Sequence, residues 1–345
     1  MDGDQLPLVG IDNFGNPTDS WVNIAHIDYI PDPYFRMYVM CVNFSSQHFP
    51  PSGTQVVYHS HNGVDWVRTD PKNIAAFLST ADRFAIGHDA DRAWIAARSN
   101  HATSQFRVQG IDLATNRFET GYNTGIPYYD TSSFFTSNHV FYITGRADGS
   151  QVLLHRGVTD NPEPVSGAFD SVAYSVGSGT SWTTTQYWED AIISILLGAV
   201  KNPVNDDVHI FYGRYESAAG EEMKLYTRIL HADNTLSSPV LIEAGIEDFS
   251  VNYYHLKGVL CAGCISASGK IGFAWAWRNT SRFDSSLWGE LHAGISADGG
   301  ASWDVDVVSA DAGVSPCQSN NDNMYGIGCY GTDRKSTRLN SSHRL

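Results

Sequence analysis

The stretch Ser296-Ala-Asp-Gly-Gly-Ala-Ser-Trp303 decides the fold, because it joins the apolar run Leu291–Ile295 to a second, alternating run. Its polar and small residues each have a role in a tight turn between two strands. The Asp298 carboxylate can accept hydrogen bonds from backbone N–H groups of the turn, and Gly300 permits a positive φ. Trp303 can fill the base of the hairpin with a large ring. The stretch therefore predicts a strand–turn–strand unit.

A second, shorter copy of this stretch, Ser60-His-Asn-Gly-Val-Asp-Trp66, lies far upstream and carries Asn62 in place of the acid. Two copies in one chain indicate a repeat protein. Both stretches resemble the Asp-box, or BNR, motif of a group of β-propellers whose best known members are sialidases. The resemblance implies a propeller fold, and it supports that fold more directly than any activity.

Apolar segments rich in small residues recur at intervals of roughly 60 residues, a spacing typical of four-stranded propeller blades with long loops. The six segments begin near Trp21, Arg83, Ser133, Ala191, Gly258 and Tyr325. We therefore predict an all-β, six-bladed β-propeller of four-stranded blades whose last blade is truncated, and Leu6–Ile11 can contribute a strand to it. A five-bladed ring, with the residues from Cys317 onward as an extension, is the alternative.

A second strand is predicted after each of the first five segments. These strands span Arg36–Val42, Ala93–Ala97, Val140–Thr144, Val208–Tyr212 and Ile271–Trp277. With this assignment, both Asp-box stretches fall between the third and fourth strands of their blades, the first and the fifth. Asp-box propellers carry the motif at this position, so the agreement supports the predicted blades.

The segment Asp333–His343 resembles a translated sequencing adapter rather than protein. We therefore expect one propeller domain over residues 1–332 and a non-native tail over 333–345. The chain has a formal net charge of −15 at pH 7, and the basic residues of the tail make the rest of it still more acidic. This acidity argues against nucleic acid and anionic membranes as partners.

No stretch approaches 18 consecutive apolar residues, and the beginning of the chain, Met1–Gln5, has neither a basic region nor an apolar core. We therefore predict no membrane insertion and no signal peptide. A cytoplasmic location and a virion-associated one both stay open, as does the oligomeric state.

The cysteines and histidines do not have the spacing of metal ligands. Cys261-Ala-Gly-Cys264 imitates a metal-binding pair, but residues three apart in a strand point to opposite faces. His88, His139 and His155 stand alone. We predict no metal site and no cofactor.

Four arginines follow the predicted second strands in four successive blades. They are Arg98, Arg146, Arg214 and Arg278. In an acidic chain such a cluster suits one planar anion, because guanidinium groups bind carboxylates through paired hydrogen bonds. The alternative is that each arginine pairs with an acid of a neighbouring blade and locks the ring.

The resemblance to sialidases implies specific roles. That family binds the sugar carboxylate with three arginines and attacks with a tyrosine that a glutamate activates. Arg214 and Arg278 are similar in placement to the second and third arginines. Glu189 matches the activating glutamate, and Tyr325 matches the nucleophile.

Two features of the family are missing. Its Phe-Arg-Ile-Pro string is absent, and the nearest string, Tyr34-Phe-Arg-Met37, opens the second strand instead. The segment Asn43–Thr54, where the general acid is expected, contains no carboxylate. A hydrolase of another family and mechanism could instead use an acid at the start of a first strand, namely Asp19, Asp82 or Asp130, and Asp82 is the candidate that we keep.

The aromatic loop Trp182–Trp188 adds a further binding candidate, because exposed Trp and Tyr rings stack on sugars and also bind proteins. Ordinary hairpin packing is the alternative, and Trp188 is the residue that we assign to the site. We predict a sialidase-like propeller that binds an acidic carbohydrate, and whether it hydrolyses that sugar stays open. A non-catalytic module that recognises glycan or protein, such as a virion or cell-surface adhesion module, is the alternative.

Overall fold

The computed structural model describes fourteen segments of the chain. They are residues 22–30, 36–43, 54–61, 67–69, 84–98, 105–127, 141–158, 170–183, 186–187, 193–215, 223–246, 260–266, 268–276 and 291–309. These residues form antiparallel sheets of four or five strands, which confirms the all-β prediction. Within the described segments, no helix has the length and hydropathy needed to cross a membrane.

The described strands group into five sheets, numbered here in chain order. Sheet 1 contains β1 (Val22–Ile30), β2 (Arg36–Asn43), β3 (Thr54–Ser60) and β4 (Val67–Arg68). Sheet 2 contains β5 (Phe84–His88), β6 (Arg92–Arg98), β7 (Gln105–Asp112), β8 (Arg117–Phe118) and β9 (Tyr122–Pro127). Sheet 3 contains β10 (Tyr142–Gly145), β11 (Gln151–Val158), β12 (Asp170–Ser178), β13 (Ser181–Trp182) and β14 (Gln186–Tyr187).

The last two sheets have four strands each. Sheet 4 contains β15 (Ile193–Lys201), β16 (Val208–Tyr215), β17 (Met223–Leu230) and β18 (Val240–Ile246). Sheet 5 contains β19 (Leu260–Ile265), β20 (Ile271–Ala276), β21 (Leu291–Ser296) and β22 (Asp304–Ser309). In every sheet the first four strands pair in chain order, as in a propeller blade.

The sheets stack face to face in chain order around their first strands. Strand β5 packs against β1 and β10, and β15 packs against β10 and β19. An apolar core lies between each pair of sheets from sheet 2 to sheet 5. Between sheets 4 and 5, for example, the rings of Phe211 and Phe273 stack with centroids 3.9 Å apart. The described sheets therefore have a propeller-like arrangement.

Four of the five predicted second strands are confirmed as β2, β6, β16 and β20. The prediction for the third blade is wrong. The predicted second strand Val140–Thr144 overlaps β10, the first described strand of sheet 3, which pairs with β11. The physical reason is the tight turn between them, where Gly149 adopts φ 84° and lets the chain reverse directly after Gly145.

The turn after β21 makes the hydrogen bonds predicted from its sequence. The Asp298 carboxylate accepts bonds from the Ser302 backbone N–H and from the hydroxyls of Ser302 and Ser296. These bonds, above all the one from the Ser302 side chain, lower the pKa of Asp298 to about 2. The Gly300 N–H donates to the buried Ser296 Oγ at 2.7 Å, and Gly300 has φ 95°. Side-chain acceptors thus satisfy the backbone of the turn.

Both copies of the turn begin at the end of a third strand. Ser60 ends β3 and Ser296 ends β21, while Val67 and Asp304 open the fourth strands. The predicted position between third and fourth strands is therefore confirmed. Residues 62–66, including Trp66, lie outside the described segments.

Trp303 is half-buried and packs at the base of the hairpin, as predicted. Its ring meets Phe211 edge to face with centroids 5.7 Å apart. A side chain at Gly294 would crowd that ring, since its Cβ would lie 3.1 Å from Trp303. The tryptophan therefore ties the turn of sheet 5 to the core shared with sheet 4.

Replacing Ser296 by alanine is expected to lower the free energy of unfolding by about 1–2 kcal/mol, because the buried Gly300 N–H loses its acceptor. Urea unfolding of the two proteins measures the difference. Ser181→Ala, at an exposed position, is the matched control and should change the value by less than about 0.5 kcal/mol. An equal effect of the two substitutions would contradict the role given to the Ser296 hydroxyl.

Candidate functional site

The strands of each sheet end on two opposite sides, and each side carries a different kind of connection. On the side that we call the turn edge, short turns join first to second strands and third to fourth strands. They include residues 89–91, 146–150, 202–207, 231–235 and 297–302. At the opposite edge, called the loop edge, the second strands end and the first strands begin. Ligand sites on propellers are built from such loops near the axis, so the loop edge is the candidate site.

Two of the predicted arginines belong to the loop edge. Arg98 is the last residue of β6, and Arg214 is the last residue but one of β16. A third arginine, Arg156, lies near the loop-edge end of β11 and was not predicted. The string Leu-Leu-His-Arg after a turn could have indicated this arginine, but only if the strand order of sheet 3 had been predicted correctly. Three successive second strands therefore carry an arginine close to this edge.

The setting of Arg214 can be described in detail. Its cross-strand partners are Ser194 in β15 and Lys224 in β17. The half-buried guanidinium lies over the Tyr226 ring, with Cζ 5.6 Å from the ring centroid. Tyr226 in turn stacks on Tyr212, with centroids 5.9 Å apart. A cation is therefore held over an aromatic pair near the loop edge of sheet 4.

Arg146 lies elsewhere, which corrects its predicted position. It follows the first strand β10 and so belongs to the turn edge. Its side chain is buried, and its guanidinium donates to the carbonyls of His231 and Ala232 and to Asn234 Oδ1 at 2.9, 3.2 and 2.7 Å. These acceptors belong to the β17–β18 turn of the neighbouring sheet. Arg146 therefore joins sheets 3 and 4 instead of facing the loop edge.

The electrostatics around Arg146 fit this structural role. Burial lowers the pKa of Arg146 from its usual value, and the nearby carboxylates, first of all Asp148 and Asp206, oppose that effect. Asp206 also accepts a bond from the Ala147 N–H at 2.8 Å. Lys201 of sheet 4 donates to the Gly145 carbonyl at 2.8 Å. The turn edge of sheets 3 and 4 is thus a network of polar bonds.

Trp182 also has a structural role. Its indole N–H donates to the Gly179 carbonyl at 2.9 Å, and its ring covers Gly177, where a Cβ would lie 2.5 Å from the ring. The half-buried ring therefore plugs the β12–β13 hairpin. For this residue of the aromatic loop, hairpin packing is the observed role.

Several predicted site residues lie outside the described side chains. They are Asp82, Trp188, Glu189, Arg278 and Tyr325, and the side chain of Arg98. In the described part of the chain, no group of three or more His, Cys, Asp or Glu side chains is arranged to hold a metal ion. Among the predicted residues, the described part of the structure thus gives side-chain contacts for Arg214 and Arg146.

No protein-family model and no curated protein matches the chain. Among solved structures, the chain is similar to a protein of unknown function from Dyadobacter fermentans, with a TM-score of 0.49, 11% identity and coverage of 86% of this chain and 85% of that chain. It is also similar to a polysaccharide lyase, an ulvan lyase (TM-score 0.47, 10% identity, coverage 86% and 73%). A third is a Hadza microbial sialidase (TM-score 0.44, 12% identity, coverage 84% and 59%). The last two are carbohydrate-active enzymes.

Proposed function

We propose that the loop edge binds an acidic carbohydrate. Support comes from Arg98, Arg156 and Arg214, which lie at or near the loop-edge ends of second strands in three successive sheets. Guanidinium groups bind carboxylates bidentately, so a set of them at one edge suits a planar anion. In a chain with a net charge of −15, arginines repeated at this position of successive sheets favour an anionic partner.

The observation that carries the proposal is the setting of Arg214. Its guanidinium is half-buried over Tyr226, and its cross-strand partner is a second cation, Lys224. A cation that is partly shielded from water attracts an anion more strongly than a fully hydrated one. Aromatic rings beside such a cation can pack on the apolar face of a sugar. A sugar that carries a carboxylate satisfies both features.

We further propose that the fold is an Asp-box propeller of six blades, similar to the sialidases. The bonds of Asp298 and Ser296 support the motif, because they match the physical roles expected from its sequence. The position of both stretches between third and fourth strands supports the repeat. In this arrangement, the loop edge surrounds the axis of the ring.

If the protein is an enzyme, the proposed reaction is hydrolysis of the bound sugar. Tyr325 would attack the sugar after Glu189 accepts its proton, since an isolated tyrosine ionises only near pH 10. Asp82 would protonate the leaving group and then accept a proton from the water that releases the sugar from Tyr325. Arg278 and Trp188 would extend the contacts of Arg214 with the substrate. Each of these roles is assigned by resemblance and by position in the sequence.

A recognition module that binds glycan or protein without turnover is the second candidate. The observation that favours it is the sequence of Asn43–Thr54, which follows β2 and contains no carboxylate where the family places its general acid. A propeller without that acid can still bind a sugar at the loop edge. Binding and turnover therefore have to be measured separately.

Replacing Arg214 by alanine is expected to weaken binding of a sialoside or a uronate roughly tenfold to hundredfold, the loss expected for one hydrogen-bonded charge pair. Binding of a neutral sugar should change much less, because a neutral sugar has no carboxylate for Arg214 to bind. Isothermal titration with each sugar measures both values. Arg117→Ala is the matched control, since Arg117 is exposed at the turn edge. Equal losses for the acidic and the neutral sugar would contradict the anion site.

Turnover of the same sugars separates the two candidates. With Glu189→Gln or Tyr325→Phe, loss of turnover with retained binding selects the hydrolase. Binding by the wild-type protein without any turnover selects the recognition module. Absence of binding of every acidic sugar would overturn the proposed function itself.

A further inference from the structure

The third strand of sheet 4 carries a row of half-buried side chains on the face toward sheet 3. Tyr226 packs against the apolar core that sheets 3 and 4 share, and Lys224 and Arg228 lie on the same face, two residues before and after it. All three are half-buried. On the opposite face, Leu225 and Thr227 are at most 1% exposed. The face toward sheet 3 is therefore only partly covered, and we call its three residues the β17 row.

The β17 row begins beside Arg214. Arg214 and Lys224 are cross-strand partners in β16 and β17, so their side chains share one face of the sheet. Like charges directly opposite each other repel, and an anion that contacts both relieves that repulsion. The binding group of this pair is therefore an anion, as at the rest of the loop edge.

The other end of the row lies well away from this pair. Lys224 and Arg228 are four residues apart, which corresponds to about 14 Å along a strand. A single carboxylate is much smaller than this separation, and Tyr226 lies between the two cations. The β17 row therefore suits a ligand that carries more than one anionic group.

The space between the two cationic ends is apolar. Leu241 of β18 is the cross-strand partner of Tyr226, and its side chain is 46% exposed. The ring of Tyr226 and the side chain of Leu241 can pack on the apolar face of a sugar ring. Along β17, cation, apolar patch and cation thus follow one another, an order that matches a chain of sugar rings with repeated acidic groups.

The local charge also favours such a chain. Within the described residues of β16, β17 and β18, Glu243 is the one carboxylate, and it lies on the opposite face, where it contacts His292 Nδ1 at 2.8 Å and Trp275 Nε1 at 3.0 Å. The β17 row is therefore cationic in a chain whose net charge is −15. That net charge repels a nucleic acid, which has a phosphate at every nucleotide, more strongly than a glycan that bears acids on some of its rings.

We propose that the β17 row continues the loop-edge site and binds an extended acidic polysaccharide. Arg214 and Lys224 bind one acidic group of the chain. Tyr226 and Leu241 pack on a neighbouring ring, and Arg228 binds a further acidic group. The substrate class is therefore a polymer rather than a single terminal acidic sugar. This proposal rests on the proposed function, because it extends the site that contains Arg214.

Isothermal titration with galacturonic acid and with its linear octamer tests the proposal. Arg228→Gln should weaken binding of the octamer about five- to tenfold, the loss expected for one half-buried cation, and should change binding of the monomer by less than about twofold. Arg214→Ala should weaken binding of both. Arg228→Lys keeps the charge and should retain most of the affinity for the octamer. Arg117→Gln, at an exposed position of sheet 2, is the matched control and should change neither value.

A second variant guards against a loss caused by misfolding. Lys224→Gln should also weaken the octamer, and both variants should keep the midpoint of thermal unfolding within about 2 °C of the wild type, as expected for half-buried surface positions. Equal losses for monomer and octamer in Arg228→Gln would overturn the proposal, as would an octamer that binds no more tightly than the monomer. Tighter binding of a single-stranded DNA octamer would identify the partner as nucleic acid and overturn it too.

The same titrations separate this proposal from the proposed function. If Arg214→Ala weakens the monomer but Arg228→Gln leaves the octamer unchanged, the loop-edge anion site stands and the extension along β17 is wrong. If neither the monomer nor the octamer nor any other acidic sugar binds the wild type, the proposed function itself fails, and the extension fails with it.

Discussion

Replacing Arg146 by alanine is expected to lower the free energy of unfolding by about 1.5–3 kcal/mol, the range for hydrogen bonds made by a charged group. The guanidinium is 3% exposed and supplies three hydrogen bonds to the β17–β18 turn. Its removal leaves the carbonyls of His231 and Ala232 without this donor and opens a cavity between sheets 3 and 4. Urea unfolding followed by tryptophan fluorescence measures the change.

Two further variants test the cause of this loss. Arg146→Lys keeps the charge but cannot reproduce the planar set of donors, so it should recover only part of the stability. Arg117→Ala removes an exposed arginine and should change the free energy of unfolding by less than about 0.5 kcal/mol. A loss below about 1 kcal/mol for Arg146→Ala would contradict the network, because three hydrogen bonds from a buried charged donor are worth more than that.

The elements that the sequence predicts well are those with a local cause. The turn at Ser296–Trp303 was predictable because its bonds join residues at most four positions apart. The strands β2, β6, β16 and β20 were predictable because each is an apolar run between polar loops. Such features depend on residues that are close together in the sequence, so their prediction does not require the pairing of distant strands.

The error in sheet 3 has a physical explanation. Val140–Thr144 has the composition of a second strand, and an apolar string at Ser133–Thr136 precedes it like a first strand. Apolar composition does not distinguish the two, because first and second strands are both buried. The deciding signal is the Ala-Asp-Gly-Ser turn at 147–150, which closes a hairpin on β10.

Because of the same error, Arg146 was predicted at the loop edge instead of the turn edge, and Arg156 was not predicted as a loop-edge residue. An arginine directly after a strand lies at the turn edge if the strand is the first of its sheet, and at the loop edge if it is the second. Arg146 follows a first strand and Arg156 lies two residues before the end of a second strand, so the correct strand order exchanges their roles. Which edge a residue belongs to depends on pairing between strands, a nonlocal property that sequence spacing alone does not contain.

Between pH 6.5 and pH 4, we expect the protein to lose up to about 3 kcal/mol of stability through His209. The side chain is 2% exposed between sheets 4 and 5, and its Nδ1 has no hydrogen-bond partner among the described residues. Burial, and to a lesser extent His231, lowers the pKa of His209 to about 4, while Asp207 acts in the opposite direction.

The sign follows from the protons bound in each state. In the unfolded chain His209 titrates near pH 6.5, so below that pH the unfolded state binds a proton that the folded state excludes. Stability from this residue is therefore complete above pH 6.5 and is lost as the pH falls to about 4. The carboxylate of Asp298, with its pKa lowered to about 2, acts in a separate window below pH 4.

Urea unfolding at pH 7.0, 6.0, 5.0 and 4.5 measures this dependence in the wild type and in His209→Phe. The variant cannot titrate at this position, so its free energy of unfolding should fall less across the range, by up to about 2–3 kcal/mol. His61→Gln, which replaces an exposed histidine, is the matched control and should retain the dependence of the wild type. Because each protein is compared with itself at pH 7.0, any constant cost of the substitution cancels. Identical curves for the wild type and His209→Phe would show that the buried imidazole does not destabilise the contact between sheets 4 and 5 in acid.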